Sequence, residues 1–210
     1  MKRAIAGFLL AVVVLLFTTA LGLAVIHISN LPYVIDVDLL SISEKSGFSR
    51  EEILLNYNAV MDYLSPFSDA AFVLPTLNYT AQASYHFDEC KILFNNFYLL
   101  GLASAVVLVF LTIMKAVSKQ TLRISGAVTL AIPVVAGVEL LTNFDSTFTF
   151  FHSIFFADAT WIFDPDVDEI IRILPSEFFM HCAIFIALFW IAGAALQLII
   201  GYSSKKVSKT

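Results

Sequence analysis

AIAGFLLAVVVLLFTTALGLAVI, residues 4–26, decides the fold class. The run is apolar throughout, with no charged residue inside it and Lys2-Arg3 just before it. An α-helix needs about 20 predominantly apolar residues to cross the hydrocarbon core of a bilayer. In lipid a helix satisfies its own backbone hydrogen bonds, so a run of this kind is read as a spanning helix. Ala20, Gly22 and Ala24 near its end would also suit a cleavable signal peptide. The run, however, exceeds the roughly 7–15 apolar residues of a signal core, and it is read as a retained anchor. Three more stretches have the same character, at residues 97–114, 122–141 and 179–201.

The composition agrees. The 210 residues are 59% hydrophobic and 14% charged, with a mean hydropathy of +0.86. An ordinary soluble domain is about 45–50% apolar and about 25% charged. A formal net charge of −5 argues against nucleic acid as a partner, because a polyanion selects basic surfaces. The two cysteines cannot form a disulfide framework. No dinucleotide, phosphate-loop or zinc-protease motif occurs, and no cofactor is expected.

Charge sets the orientation. Lys2, Arg3, Lys115, Lys119, Arg123, Lys205, Lys206 and Lys209, eight of the twelve basic residues, fall on one side of four alternating spans. Basic residues near span ends mark the cytoplasmic side. Both termini are therefore expected inside, and residues 27–96 and 142–178 outside. These two segments hold every Asp and Glu except Glu139. The expected fold is an all-α membrane protein: one membrane domain, four transmembrane helices and a small extracellular cap. Gly101 with Ala105, and Ala127 with Ala131, are spaced four apart. Small residues at that spacing let helices approach closely in lipid, and Pro133 suggests a kink.

The first outer segment is too short for a large core of its own. Ser49-Arg50-Glu51-Glu52 has the form of a helix start, with Ser as N-cap and acids in the first turn. Ile53, Leu54, Tyr57, Val60, Met61 and Leu64 follow at helical spacing, and Ser65-Pro66 closes the helix. This predicts an amphipathic helix, with Asn56 and Tyr57 as candidate contacts for a substrate head group. Phe72-Val73-Leu74-Pro75 is expected to be extended. Residues 83–94 admit two readings. On a helix His86 would share a face with Cys90; in an extended segment it would share one with Asp88. The second segment packs Phe144, Phe148, Phe150, Phe151, Phe155, Phe156, Trp161 and Phe163 into residues 143–163. An interfacial aromatic belt does not account for that density. A dry pocket for acyl chains, or a re-entrant hairpin, does. Asp164-Pro165-Asp166 is a turn, and 168–174 a short helix stopped by Pro175.

His86 and His152 stand out within these segments. Histidine exchanges a proton near neutral pH, and two beside a lipid phase suggest acid–base chemistry on a lipid-linked substrate. The bland reading, packed interfacial histidines, applies with more force to His27 and His181 at the span ends. Cys90 beside His86 offers a thiol nucleophile, but Lys91 alone gives little local positive charge to activate it. A zinc site from His86, Asp88, His152 and His181 has suitable ligand types at a spacing too common to be informative.

Three motifs in order carry a resemblance. They are Asn56-Tyr57-x-x-x-Met61-Asp62-Tyr63-Leu64; Tyr85-His86-Phe87-Asp88-x-x-Lys91-x-x-Phe94; and Phe151-His152-x-x-Phe155-Phe156-x-x-x-x-Trp161-x-Phe163-Asp164-Pro165-x-x-Asp168, running on through Ile170-Ile171 and Leu174-Pro175 to Phe178-Phe179. Together with the four spans, the chain resembles the bacterial lipoprotein intramolecular transacylase family. The resemblance implies a multi-pass protein of the bacterial cell membrane with its active site at the extracellular face. It implies transfer of the sn-2 acyl chain of a diacylglyceryl-modified lipoprotein to the α-amine of its N-terminal cysteine, giving the lyso-form. The partners implied are such lipoproteins and membrane lipid. His86 and His152 would be catalytic. Asn56, Tyr57, Tyr63, Tyr85, Phe87, Asp88, Phe151, Phe155, Trp161, Phe163 and Asp164 would bind substrate, with no metal. Cys90 departs from the pattern, which expects an aliphatic residue there and so weighs against a thiol nucleophile. A metal-dependent membrane hydrolase and a non-enzymatic assembly partner are the alternatives in other classes.

Overall fold

Four long helices carry the apolar runs in the structure, a computed structural model that describes residues 1–156 and 158–203 and, at 140 and 141, the backbone alone. They are α1 (Lys2–Ile28), α5 (Ala81–Ile113), α6 (Lys119–Thr142) and α9 (Ser176–Tyr202), each long and apolar enough to span a membrane. Between them lie α2 (Leu31–Leu39), α3 (Ile42–Ser46), α4 (Arg50–Leu64), α7 (Phe144–Phe155) and α8 (Ile170–Ile173). No strand occurs among the described residues. The basic tail residues Lys205, Lys206 and Lys209 lie outside them.

The second long helix begins at Ala81, well before the apolar run expected at 97. The run records only lipid-compatible residues, whereas helix continuity depends on the absence of breakers. No Pro or Gly lies between Pro75 and Gly101. Thr80 stops the helix upstream, its Oγ1 accepting from the Ala83 amide at 3.3 Å. A side-chain oxygen in that position satisfies one of the amides a helix start leaves unpaired.

The chain divides into two compact units. One comprises Met1–Gly22, Leu99–Val138 and the described residues from Phe185 onward. Its helices approach closely. A Cβ on Gly101 would collide with Ala20, and one on Gly126 would lie 2.8 Å from Leu198 Cγ. Gly101 is buried, whereas Ala105, four residues on, is only half-buried and Ser104 is the buried neighbour. Ala127 and Ala131 are exposed, so the expected Ala stripe of α6 is not its packing face. The face packed inward carries Ser125, Gly126, Thr129 and Pro133. Gln197 explains the choice: its amide pairs with Ser125 and lies 3.4 Å from Thr129 Oγ1. A buried amide needs such partners, and α9 supplies it to α6.

The other unit comprises Leu23–Tyr98 and Glu139–Ile184. The α4 helix begins as its sequence signature requires, with Ser49 Oγ accepting from the Glu52 amide at 3.2 Å. Its apolar stripe is buried, with Ile53 at 0% and Tyr57 and Val60 at 1% exposure. Tyr57 stacks on Tyr33 of α2 with ring centroids 3.7 Å apart, and the Tyr33 hydroxyl donates to the Ile173 carbonyl at 2.6 Å. The stretch at 72–75 has no regular structure, and Phe72 and Leu74 turn into this core. Truncating such a core residue costs about 2–5 kcal/mol.

Three backbone-directed bonds join the approach to α5 with the approach to α8. The Asn78 amide donates to Glu169 Oε2 at 2.7 Å, the Glu169 amide to the Asn78 carbonyl at 3.1 Å, and the Thr80 amide to Asp168 Oδ1 at 2.7 Å. Buried Asp168 thus holds the start of α5 against the second segment. Gln82 adds donations to the carbonyls of Thr160 and Ile162, at 3.3 and 3.1 Å. These bonds set where the residues around 160–163 lie relative to the first turns of α5.

Candidate active site

Residues 83–94 are helical, which decides the alternative left open by the sequence. His86 lies over Cys90, with Nε2 3.4 Å from Sγ. Asp88 points elsewhere and accepts a short hydrogen bond from the Tyr63 hydroxyl. Lys91, one helical turn from Phe87, donates to the Ser68 carbonyl at 2.8 Å and covers the Tyr63 ring. Burial, and then the bond to Asp88, push the Tyr63 phenol up to about 12, so it stays a donor.

His86 and His152 meet. Their ring centroids are 6.0 Å apart, and they are 6% and 9% exposed. They come from α5 and α7, far apart in sequence. Phe156 touches both rings, at 4.6 Å from His86 and 5.4 Å from His152. Phe163 closes on His86 at 5.6 Å. Phe148 and Trp161 close on His152 at 4.1 and 4.6 Å. The dense aromatic stretch therefore walls a histidine pair.

The tautomer of His152 follows from its partner. Nδ1 lies 2.8 Å from the Phe148 carbonyl, which can only accept, so Nδ1 carries the proton. In the neutral ring Nε2 then has a free lone pair. Burial pulls the His152 pKa below its usual 6.5, against a smaller opposing effect of the Phe148 carbonyl. Desolvation penalises the charged form, so His152 is a neutral base at pH 7.

The environment of His86 differs. Nδ1 faces Thr160 Oγ1 at 3.5 Å and Glu89 Oε2 at 3.7 Å, and the Thr160 hydroxyl donates to Glu89 Oε2 at 2.7 Å. Glu89 and Thr160 were not singled out from the sequence, nor were Phe148 and Phe156 as ring neighbours. Glu89 was within reach of a helical reading, being one turn from His86. Nothing local marks Thr160, which a chain fold brings across from the second segment.

The remaining predicted residues divide into groups. Phe151 lies 5.5 Å from His152, and Phe155 packs on Phe151 at 4.7 Å; both are about 40% exposed, at 43% and 42%. Tyr85 is exposed beside His86. Phe87 faces the cap core and stacks on Phe72 at 4.7 Å. Asn56 and Tyr57 are fully buried away from the ring pair. The Asn56 amide donates to the Glu52 carbonyl and to Thr76 Oγ1, at 2.8 and 2.7 Å. Asp164 shapes the turn it was read as, Oδ1 accepting from the Asp166 amide at 3.0 Å. His181 pairs with Asp36 at 2.8 Å, and His27 Nδ1 with the Tyr98 hydroxyl at 3.1 Å. The set His86, Asp88, His152 and His181 therefore does not converge, and Cys90 and Cys182 are unbridged.

Comparison with known proteins points one way. A family profile described as lipoprotein intramolecular transacylase Lit matches residues 7–179. The in meso structure of the membrane integral lipoprotein intramolecular transacylase Lit from Bacillus cereus is similar at 28% identity and a TM-score of 0.86, over 95% of this chain and 94% of that one. Two structures of the same Bacillus cereus protein, with a histidine mutated to arginine and to alanine, each match at 27% identity and a TM-score of 0.80. They cover 95% of this chain and 90% and 92% of theirs. No curated protein sequence matches the chain.

Proposed function

The chain belongs to the lipoprotein intramolecular transacylase family, and on that basis we propose that it moves the sn-2 acyl chain of a diacylglyceryl-modified lipoprotein onto the α-amine of its N-terminal cysteine. The observation that carries this reading is the buried pair of imidazoles, 6.0 Å apart inside an aromatic wall. Two buried bases in one dry enclosure suit a reaction that removes a proton from nitrogen and returns one to oxygen.

The α-amine has an ordinary pKa of about 7.7–8.0 and is mostly protonated at neutral pH. A neutral imidazole accepts its proton, and general-base help of this kind is worth about 10²–10⁴-fold. The freed amine adds to the sn-2 ester carbonyl and a C–N bond forms. The tetrahedral intermediate collapses, and the C–O bond to the glyceryl sn-2 oxygen breaks. That oxygen takes a proton from an imidazolium. From ammonium to amide the nitrogen gives up two protons; one returns to the sn-2 oxygen and the other leaves to solvent, so atoms and charge balance and the neutral lipoprotein keeps its total mass.

Donor and acceptor sit on one molecule, so the enzyme has chiefly to fold the glyceryl–cysteine unit until amine meets ester. Well-oriented intramolecular reactions reach effective molarities of about 10⁵–10⁸ M. Phe156, Trp161 and Phe163 would hold that fold and exclude the water that would hydrolyse the ester. The half-exposed Phe151 and Phe155 would meet the acyl chains, and Tyr85 the head group. Asn56, Tyr57, Phe87 and the Tyr63–Asp88 bond would act from behind by stiffening the scaffold. The eight basic residues on one side support a bacterial cell-membrane protein with cytoplasmic termini and an extracellular site.

The test is mass spectrometry of a diacylated lipopeptide after incubation with purified protein. Fragmentation should place one chain on the cysteine nitrogen with the parent mass unchanged. Release of free fatty acid without N-acylation would favour a hydrolase and overturn the proposal.

A further inference from the structure

We infer that Glu89 and Thr160 form a positioning relay that fixes the tautomer of His86 and makes it the histidine that carries positive charge during transfer. The inference rests on the proposed transacylase reading and adds to it the division of labour between the two imidazoles.

Proton counting gives the tautomer. The Thr160 hydroxyl has one proton, and Glu89 Oε2 lies 2.7 Å away as its acceptor. The hydroxyl is the donor of that bond, so its proton points at Glu89. Thr160 Oγ1 can then meet His86 Nδ1, 3.5 Å away, only as an acceptor. The Nδ1 proton is therefore on His86, and Glu89 Oε2, 3.7 Å from the same nitrogen, favours it there. Nε2 is left as the basic atom of the ring; at rest it lies 3.4 Å from the Cys90 thiol, which the substrate amine would replace as its donor. Without these partners the buried ring could carry its proton on either nitrogen.

The charge follows from the same groups. When Nε2 of His86 takes a proton from the amine, the imidazolium faces Glu89 directly and through Thr160. A carboxylate held behind a catalytic imidazole orients it and stabilises its cation. His152 has no such partner among the described residues. Its Nδ1 meets a neutral carbonyl, and its ring meets Phe148, Phe156 and Trp161. His86 is thus the base toward the amine and, as imidazolium, returns the proton to the departing sn-2 oxygen. His152 stays neutral, and its Nε2 accepts from the amine and holds it toward the ester. Glu89 and Thr160 touch no reacting atom, so they are positioning residues.

The experiment uses the full-length protein in detergent, labelled with ¹⁵N-histidine. The His86 ring signals are assigned by their loss in His86→Gln. The parent should show the Nδ1–H tautomer at His86. Thr160→Val removes the hydroxyl without changing its volume, and the tautomer should shift toward Nε2–H. Glu89→Gln should do so in part. Both variants should lower kcat about 10–10²-fold with little change in KM, because part of a base's contribution of about 10²–10⁴ remains. Thr160→Ser should recover most of the loss and the parent tautomer. An unchanged His86 tautomer in folded Thr160→Val overturns the relay, even if the rate falls. The spectrum needs no substrate, so a shifted tautomer supports the relay whether or not the acyl chain moves. Failure of the transacylase reading is seen separately, in the parent's products. Should Thr160→Val not fold, Glu89→Gln carries the same two readouts, and an unmoved tautomer there overturns the relay whatever the kcat.

Discussion

Replacing Trp161 by alanine separates a reaction chamber from a mere membrane anchor. The indole is half-buried and lies 4.6 Å from the His152 ring and 6.0 Å from Phe148. A tryptophan buries about 150–250 Å² when enclosed. At about 25 cal/mol per Å², half of that contributes about 2–3 kcal/mol. The protein should therefore melt lower and still fold. The chemical effect should be larger than this loss suggests. Removing the wall loosens both the imidazole and the folded substrate, and a displacement of about 1 Å costs roughly 10²-fold in rate. Water also gains access to the ester. Trp161→Ala should slow N-acylation about 10²-fold and raise free fatty acid relative to transferred chain. Trp161→Phe keeps a flat face against His152 and should fall between. Both products are counted by mass spectrometry, beside a melting curve in the same detergent. A lower melting temperature with an unchanged ratio of transfer to hydrolysis would refute the chamber and leave Trp161 as an interfacial anchor.

His86→Ala and His152→Ala should each lower transfer by about 10² or more, and the double variant should be little worse than either, because groups acting as a unit are not additive. Cys90→Ala should remain active, and a folded but inactive Cys90→Ala would shift the chemistry to a thiol acyl-enzyme despite the intact pair. Stability should depend on pH through His152, whose folded pKa lies below the usual 6.5. Below pH 6.5 the unfolded chain binds a proton that the folded chain refuses, so stability is full above that value and declines as pH falls toward the folded pKa. The melting temperature should drop more steeply from about pH 7 to about pH 5 in the parent than in His152→Gln, and equal slopes would remove His152 as the cause. Single cysteines at positions 45 and 166, in a background lacking Cys90 and Cys182, should label from outside intact cells, and one at 119 only after permeabilisation. Labelling of position 45 only from inside would invert the orientation.

The four long helices were legible because the bilayer imposes a length and a composition that each apolar run must meet alone. The α4 helix was legible for a similar local reason: Ser49, the acids after it and the stripe from Ile53 to Leu64 lie within one element. The reading went wrong, or stayed open, where an outcome depended on another segment. The packing face of α6 is chosen by Gln197 on α9, so the Ala127–Ala131 spacing pointed the wrong way. For Asn56 no local pattern announces Thr76, the partner from another segment to which its amide donates.

By itself the sequence determined that the chain carries four helices long and apolar enough to span a membrane, and it singled out His86 and His152 among four histidines through the motifs around them. Periodicity, hydropathy and motif order are properties of contiguous residues, so they survive in one dimension. Only the tertiary structure decided that the two imidazoles lie 6.0 Å apart, that Asp88 turns to Tyr63, and that Thr160 and Glu89 stand behind His86. The Asp88 bond joins α5 to α4, 25 residues before it, and the other two join α5 to residues more than 60 positions further along the chain. Such contacts are set by where the Asn78–Glu169 and Thr80–Asp168 bonds pin the two segments together, and no local pattern encodes that placement.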